Sequence, residues 1–154
     1  MDFHIRPAEL SDIPTLLAHR RGMYRDMGQT GEGEMKQMLA AAERFLCTTL
    51  ADGSCRAWLA ETEGRVAGGG AVHILPWIPG YSDPSPRRAY VHGVYTEPEF
   101  RRRGVARKLM ETIVAWCRDA GFRSVTLHAS DAGWHVYLAL GFTPTNEMRL
   151  LFPD

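Results

Sequence analysis

The chain has 154 residues, 45% apolar and 23% charged, which fits one globular domain whose core needs neither disulfides nor a structural metal. Its 18 basic and 18 acidic side chains cancel, so no overall field of either sign attracts nucleic acid or a membrane surface. Any phosphate site must be local.

Residues 3–6 alternate and predict a first strand, ended by Pro7. Ser11 stands where an N-cap belongs and Pro14 falls in a first turn, so a helix is expected to about Tyr24, with Ile13, Leu16, Leu17, Met23 and Tyr24 on its apolar face. A glycine-rich stretch at 28–33 precedes a second helix over 34–50, with Met35, Met38, Leu39, Ala42, Leu46 and Leu50 inward. Residues 56–62 and 65–75 read as strands joined by a Glu63-Gly64 hairpin turn. Gly68, Gly69 and Gly70 inside the second of these mark a bulge or a close backbone approach. The proline-rich residues 76–86 are a surface loop, and residues 89–95 a fourth strand. The clearest helix covers 102–120, with Val105, Leu109, Ile113, Trp116 and Cys117 on one stripe and Gly121 as its cap. A strand at 124–127, a helix at 131–140 and a last strand at 148–152 complete the order β-α-α-β-β-β-α-β-α-β. The expectation is one α/β (α+β) domain over residues 1–154, with helices flanking a mixed, mostly antiparallel sheet.

Cys47, Cys55 and Cys117 are odd in number and widely spaced, with no CxxC or Cys/His cluster, so reduced thiols and no metal are expected. The opening residues lack the apolar run of a signal peptide, and no stretch approaches the ~20 apolar residues of a membrane span. A cytoplasmic location, with no membrane partner, is the expectation.

The most informative segment is residues 98–108, P-E-F-R-R-R-G-V-A-R-K. Three arginines open a strong helix, the wrong sign for an N-terminus that already carries about half a positive charge. An anion resolves the conflict, because free N–H groups, the dipole and the arginines all converge on it. Gly104 lets a phosphate approach the backbone, and Ala106 keeps the next turn small. The segment lacks the glycine and lysine spacing of a P-loop and the three glycines of a dinucleotide fingerprint.

Residues 94–106, V-Y-T-E-P-E-F-R-R-R-G-V-A, resemble the acyl-coenzyme A signature of the GNAT superfamily of N-acetyltransferases, with Arg101, Gly104 and Ala106 at its key positions. Residues 127–142, L-H-A-S-D-A-G-W-H-V-Y-L-A-L-G-F, resemble the family's second coenzyme segment, and I-R-P-A-E-L-S-D-I resembles its opening. The resemblance implies acetyl-CoA as co-substrate. Backbone groups of Val94, Tyr95 and Thr96 would pair with the pantetheine arm, and amides from Arg102, Arg103, Gly104, Val105 and Ala106 would hold the pyrophosphate. Ser130 stands where the family often has asparagine. Tyr137 stands at the general-acid position, four residues before Gly141. The Tyr95 N–H, left unpaired where the strand splays, is the expected oxyanion donor, and homodimers are frequent in the family.

The amine must lose its proton before it attacks a thioester, since alkyl amines hold it up to about pH 10. Period-two alternation puts Tyr90, His92 and Val94 on one face of the fourth strand, and His92 titrates in the useful range. Some members of the family that the chain resembles place histidine or glutamate there, which makes His92 the candidate base or water-chain anchor, with a packed strand histidine as the plain alternative. Glu97 and Glu99 are expected to pair with the arginines. Acceptor recognition is expected from the first two helices and the 76–86 loop, with Tyr24, Trp77 and Tyr81 as candidate pocket residues and His19, Arg20 and Arg21 beside them. Neutral charge without an acidic patch counts against strongly cationic acceptors. The reading is acetyl transfer to a small-molecule amine. Acetylation of a protein N-terminus or lysine, and a non-catalytic acyl-CoA-binding module, are the alternatives.

Overall fold

The computed structural model describes residues 1–153. Five strands form one sheet in chain order: β1 (His4–Pro7), β2 (Cys55–Thr62), β3 (Arg65–Pro76), β4 (Arg87–Thr96) and β5 (Val125–Leu127). The first three pairings are antiparallel and the β4–β5 pairing is parallel. The helices are α1 (Ile13–Asp26), α2 (Glu32–Asp52), α3 (Val105–Asp119) and α4 (Trp134–Ala139). The mixed, mostly antiparallel sheet flanked by helices is the one expected from the sequence.

Glu63 and Gly64 turn the β2–β3 hairpin with φ of 50° and 74°, the pair of left-handed residues that a two-residue turn of matching twist requires. Gly121, at φ 91°, follows the end of α3 as anticipated. Two expectations give way. Ser11 is not the N-cap of α1: it lies in a 3-10 turn, Leu10–Asp12, and the α1 cap position belongs to Asp12. The Asp12 carboxylate is spent elsewhere, accepting from the Glu9 N–H at 2.7 Å and pairing with Arg6 at 2.9 Å. Residues 148–152 do not form a strand. They lie exposed and belong to no element.

The two sides of the sheet are filled differently. On one side α3 buries Val105, Leu109, Met110, Ile113 and Cys117 against Val72, Ala89 and Val91. Each fully buried leucine, isoleucine or methionine there contributes roughly 1.5–3 kcal/mol. Trp58 lies in the same layer, edge-on to Trp116 at 5.9 Å. On the other side α1 and α2 cover a smaller apolar group of Ile13, Leu46, Cys55, Ala57 and Ala71.

Candidate active site

The site grows out of an irregularity in β4. Gly69 of β3 pairs with Tyr95, whereas Ala71 pairs with His92, so three steps on β4 face two on β3. The extra residue is a bulge, and Gly93, at φ 67°, supplies the left-handed turn it needs. The sequence placed this irregularity in the glycines of β3. Those glycines provide the close approach instead: a methyl on Gly68 would lie 2.5 Å from the Tyr95 carbonyl oxygen.

The bulge resets the faces of the strand. Val94 does not share a face with Tyr90 and His92, as simple alternation predicted. It packs against the α3 core with Val91, while Tyr95 turns toward α1 and stacks on His19 at 5.2 Å between ring centres. Gly22 makes room for that ring, since a methyl there would lie 2.5 Å from the Tyr95 phenol oxygen.

Beyond the bulge β4 also loses a neighbour. Its pairing with β5 covers only Ala89–Val91, so from His92 to Thr96 one edge of β4 is without a strand partner. Alternation assigns the groups on that edge. The Glu97 N–H reaches across to the Ala67 carbonyl at 2.8 Å, so the Tyr95 N–H also faces β3, and the N–H groups of Val94 and Thr96 face the open slot. The Thr96 carbonyl fits this alternation, accepting from Arg101 Nε at 3.0 Å. An oxyanion in the slot would therefore find the amide of Val94 rather than that of Tyr95.

The slot leads to the start of α3. No side chain caps this helix, and its first turn leaves amides without an intrahelical acceptor. Arg102 and Gly104 both adopt left-handed backbone, at φ 63° and 81°. Alternating conformations of this kind turn successive N–H groups into one concavity that suits an anion. A non-glycine residue held at positive φ costs of order 1 kcal/mol or more and persists only where its surroundings enforce it. The cations are not equivalent. Arg101 is tied to Asp26 at 2.7 Å and lies over the Tyr95 ring, which fastens this loop to the end of α1. Arg107 pairs with Glu111 at 3.0 Å, and Lys108 bonds the Phe3 carbonyl. Arg102 and Arg103 are exposed with no carboxylate partner among the described residues, and Arg103 Nη1 lies 3.6 Å from the Met1 sulfur.

Tyr137 packs on α4 against Phe142, 5.8 Å between rings, and burial raises its pKa above the ordinary tyrosine value, so the phenol keeps its proton. Ser130 Oγ accepts from the Gly133 N–H at 3.2 Å and so shapes the turn into α4. His92 lies on the α1 and α2 side, its Nε2 3.9 Å from Cys55 Sγ. Burial, with Arg20 and His73 nearby, lowers its pKa to about 4 and keeps the imidazole neutral. Tyr24 lies beneath Arg20, whose carbon is 5.3 Å from the ring centre. Trp77 stacks on Arg88 at 4.3 Å, whereas Tyr81 is fully exposed on its loop. The structure thus groups Tyr24 with the face of Tyr90 and His92, puts Trp77 at the rim near β5, and leaves Tyr81 apart from both.

Several contacts escaped the sequence reading. His19 is 2% exposed, with neither ring nitrogen hydrogen-bonded, and its Nε2 lies 3.3 Å from Glu97 Oε1 but off line. Burial lowers its pKa to about 4. Its place three residues after Leu16, on the apolar stripe of α1, was the available signal. Glu97 therefore faces a histidine rather than an arginine, and Glu99 pairs with Arg65 outside the cluster. Tyr90, His128 and Glu147 form a hydrogen-bonded chain at the end of β5, with His128 Nε2 2.6 Å from Glu147. Residues from β4, the loop after β5 and the stretch after α4 meet there, which no local pattern reveals.

A family model described as Acetyltransferase (GNAT) family matches residues 19–142. Human N-acetyltransferase 8 is 31% identical over 116 residues, covering 66% of this chain and 48% of that protein. The aminoglycoside N(6')-acetyltransferase type 1 of Klebsiella aerogenes is 26% identical over 150 residues, 94% of this chain and 92% of that one. The chain spans about half the length, 48% and 41%, of the two human relatives it matches. Among solved structures, a GCN5-related N-acetyltransferase from Ralstonia eutropha JMP134 superposes with a TM-score of 0.92 at 29% identity, covering 98% of this chain and 99% of that one. An acetyltransferase from Clostridium acetobutylicum, solved with acetyl-CoA, gives 0.87 at 26% identity, covering 98% and 96%. With the bulged β4, the half-paired slot and the uncapped α3 in place, the chain belongs to the GNAT family of acetyltransferases, which draw their acyl group from a coenzyme A thioester.

Proposed function

We propose that this protein transfers the acetyl group of acetyl-CoA to the primary amine of a small molecule by direct attack. The observation that carries the reading is the continuity between the open edge of β4 and the uncapped N-terminus of α3. An extended pantetheine arm would bond that edge as a strand does, and the pyrophosphate would rest on the α3 amides with Arg102 and Arg103 beside it. Val94, Thr96, Gly104, Val105 and Ala106 take part through their backbone. Arg101 acts at one remove, by fixing the loop.

The Val94 amide would donate to the carbonyl oxygen as it gains charge, a contact worth more in the transition state than in the ground state. Tyr137, kept protonated by burial, would give its proton to the leaving sulfur. With its pKa lowered to about 4 by burial, His92 is too weak a base to strip an ammonium directly, so its role is to accept from a water that relays the amine proton outward. Tyr24 and Trp77 would bound the acceptor. The full-length similarity to aminoglycoside acetyltransferases supports a small-molecule amine. Asp83 and Glu147 beside the Trp77 rim offer local carboxylates to such an amine although the chain is neutral overall.

The test is calorimetric titration with acetyl-CoA, CoA and ATP, followed by a thiol-release assay over a panel of amines. Binding of both coenzyme forms but not ATP, with thiol release by a small amine, is expected. Failure to bind acetyl-CoA would overturn the reading; release only with peptide acceptors would replace its substrate half.

A further inference from the structure

The arginines of α1 are not alike. Arg21 Nη1 and Arg25 Nη2 each lie 3.9 Å from the Glu32 carboxylate, whereas Arg20 has no carboxylate within ion-pair distance among the described residues. Yet Arg20 is drawn into the protein. It is half-buried, and its Nε is closed off from solvent without a hydrogen-bond partner. Among the described residues only His19, its neighbour on the same helix, carries other buried side-chain nitrogens in that condition. The Arg20 guanidinium stacks 5.3 Å from the centre of the Tyr24 ring, and Nη2 donates to the Tyr24 hydroxyl at 3.4 Å, the long end for such a bond. Across from it on β4 stands His92, with His73 of β3 beside that ring, and Tyr90 lies near Tyr24. None of these is an acid. A guanidinium partly withdrawn from water without a counter-charge is costly, and an anion that docks on it removes the cost.

We propose that Arg20 anchors the acceptor by taking its carboxylate, so that the amines acetylated here are amino acids rather than simple amines. This rests on the acetyl-transfer reading above and names its substrate class. The choice of a carboxylate follows from charge and shape. One uncompensated cation calls for a monoanion, and the planar fork of a guanidinium offers two parallel N–H groups that match the two carboxylate oxygens. Position agrees. Arg20 neighbours His92, and the unpaired edge of β4 begins at His92, so a carboxylate held by Arg20 leaves the amine of a short molecule beside the relay and the thioester. A polycation would meet a like charge at the same place.

The test is a thiol-release assay with acetyl-CoA over matched pairs: L-amino acids, β-alanine and γ-aminobutyrate, each against its own carboxamide. The carboxylate member of a used pair should have a kcat/KM at least about tenfold higher. Arg20→Gln should raise KM for the carboxylates at least about thirtyfold with a smaller change in kcat, and bring acid and amide within about threefold of each other. Arg20→Lys should restore part of the preference. Retained acetyl-CoA affinity shows that both variants fold. A second measurement needs no turnover: calorimetric titration of the CoA-loaded protein with N-acetyl amino acids, which should bind at least about tenfold more tightly than their amides. Equal use or equal binding of acids and amides by a protein that binds acetyl-CoA overturns the proposal alone. So does an acid preference that survives Arg20→Gln, or neither turnover nor binding of any carboxylate. Failure to bind acetyl-CoA overturns the reading beneath it.

Discussion

The two sides of the sheet divide the work. Against α3 the layer is apolar and closed, with Leu109, Met110 and Ile113 fully buried. Against α1 the layer holds His19, His92 and Tyr95, with His19 and Arg20 both carrying buried nitrogens that lack partners. Buried polar atoms without partners are costly, and their concentration on one side is what the proposed acceptor side would call for. The single inserted residue at Gly93 joins the two, since it sends Val94 into the closed layer and Tyr95 into the polar one.

The largest expected effect lies on the closed side. Leu109→Ala should cost about 3–4 kcal/mol in urea unfolding, with acetyl-CoA affinity unchanged while the protein stays folded. An equal loss of affinity would break the division. Next comes the acid response of the polar side. His19 has a folded pKa near 4 against an ordinary value of 6.5, so the native state binds fewer protons in that window. Its stabilising effect is full above pH 6.5 and disappears as the pH falls toward 4, by about 3 kcal/mol. His19→Leu should flatten the stability profile between those limits; an unchanged slope would assign the acid response elsewhere.

Tyr137→Phe sharpens the comparison from the chemical end. Turnover should drop about a hundredfold with coenzyme affinity retained, as expected for a lost proton donor. Equal turnover would remove the tyrosine from the mechanism. The smallest effect is at the surface: Arg103→Glu should weaken acetyl-CoA binding about tenfold at low salt and less at high salt. A dissociation constant that ignores this charge reversal would move the phosphate site away from the start of α3.

Legibility followed the range of the interactions. The Glu63-Gly64 turn, the apolar stripe of α3 and the glycine after it depend on neighbours in sequence, and all were readable there. So was the unusual sign of the arginines at 101–103, because helix polarity is a local property. The faces of β4 were not, because one bulged residue inverts every position after it, and Gly93 gives no sign of its φ. His19 looked like part of a solvated mixture, since its burial depends on Tyr95 reaching across from another element. The last strand failed for a related reason: residues 148–152 have the right composition, but composition names no partner edge.

The tryptophans fall into two optical populations. Trp58 and Trp116 sit ring to edge in the closed layer, Trp58 at 6% exposure, whereas Trp77 and Trp134 are about half exposed along the β5 side. The inner pair should dominate the near-ultraviolet circular dichroism and disappear with global unfolding. The outer pair should respond to aqueous quenchers in the native state, while the inner pair stays shielded until the sheet comes apart.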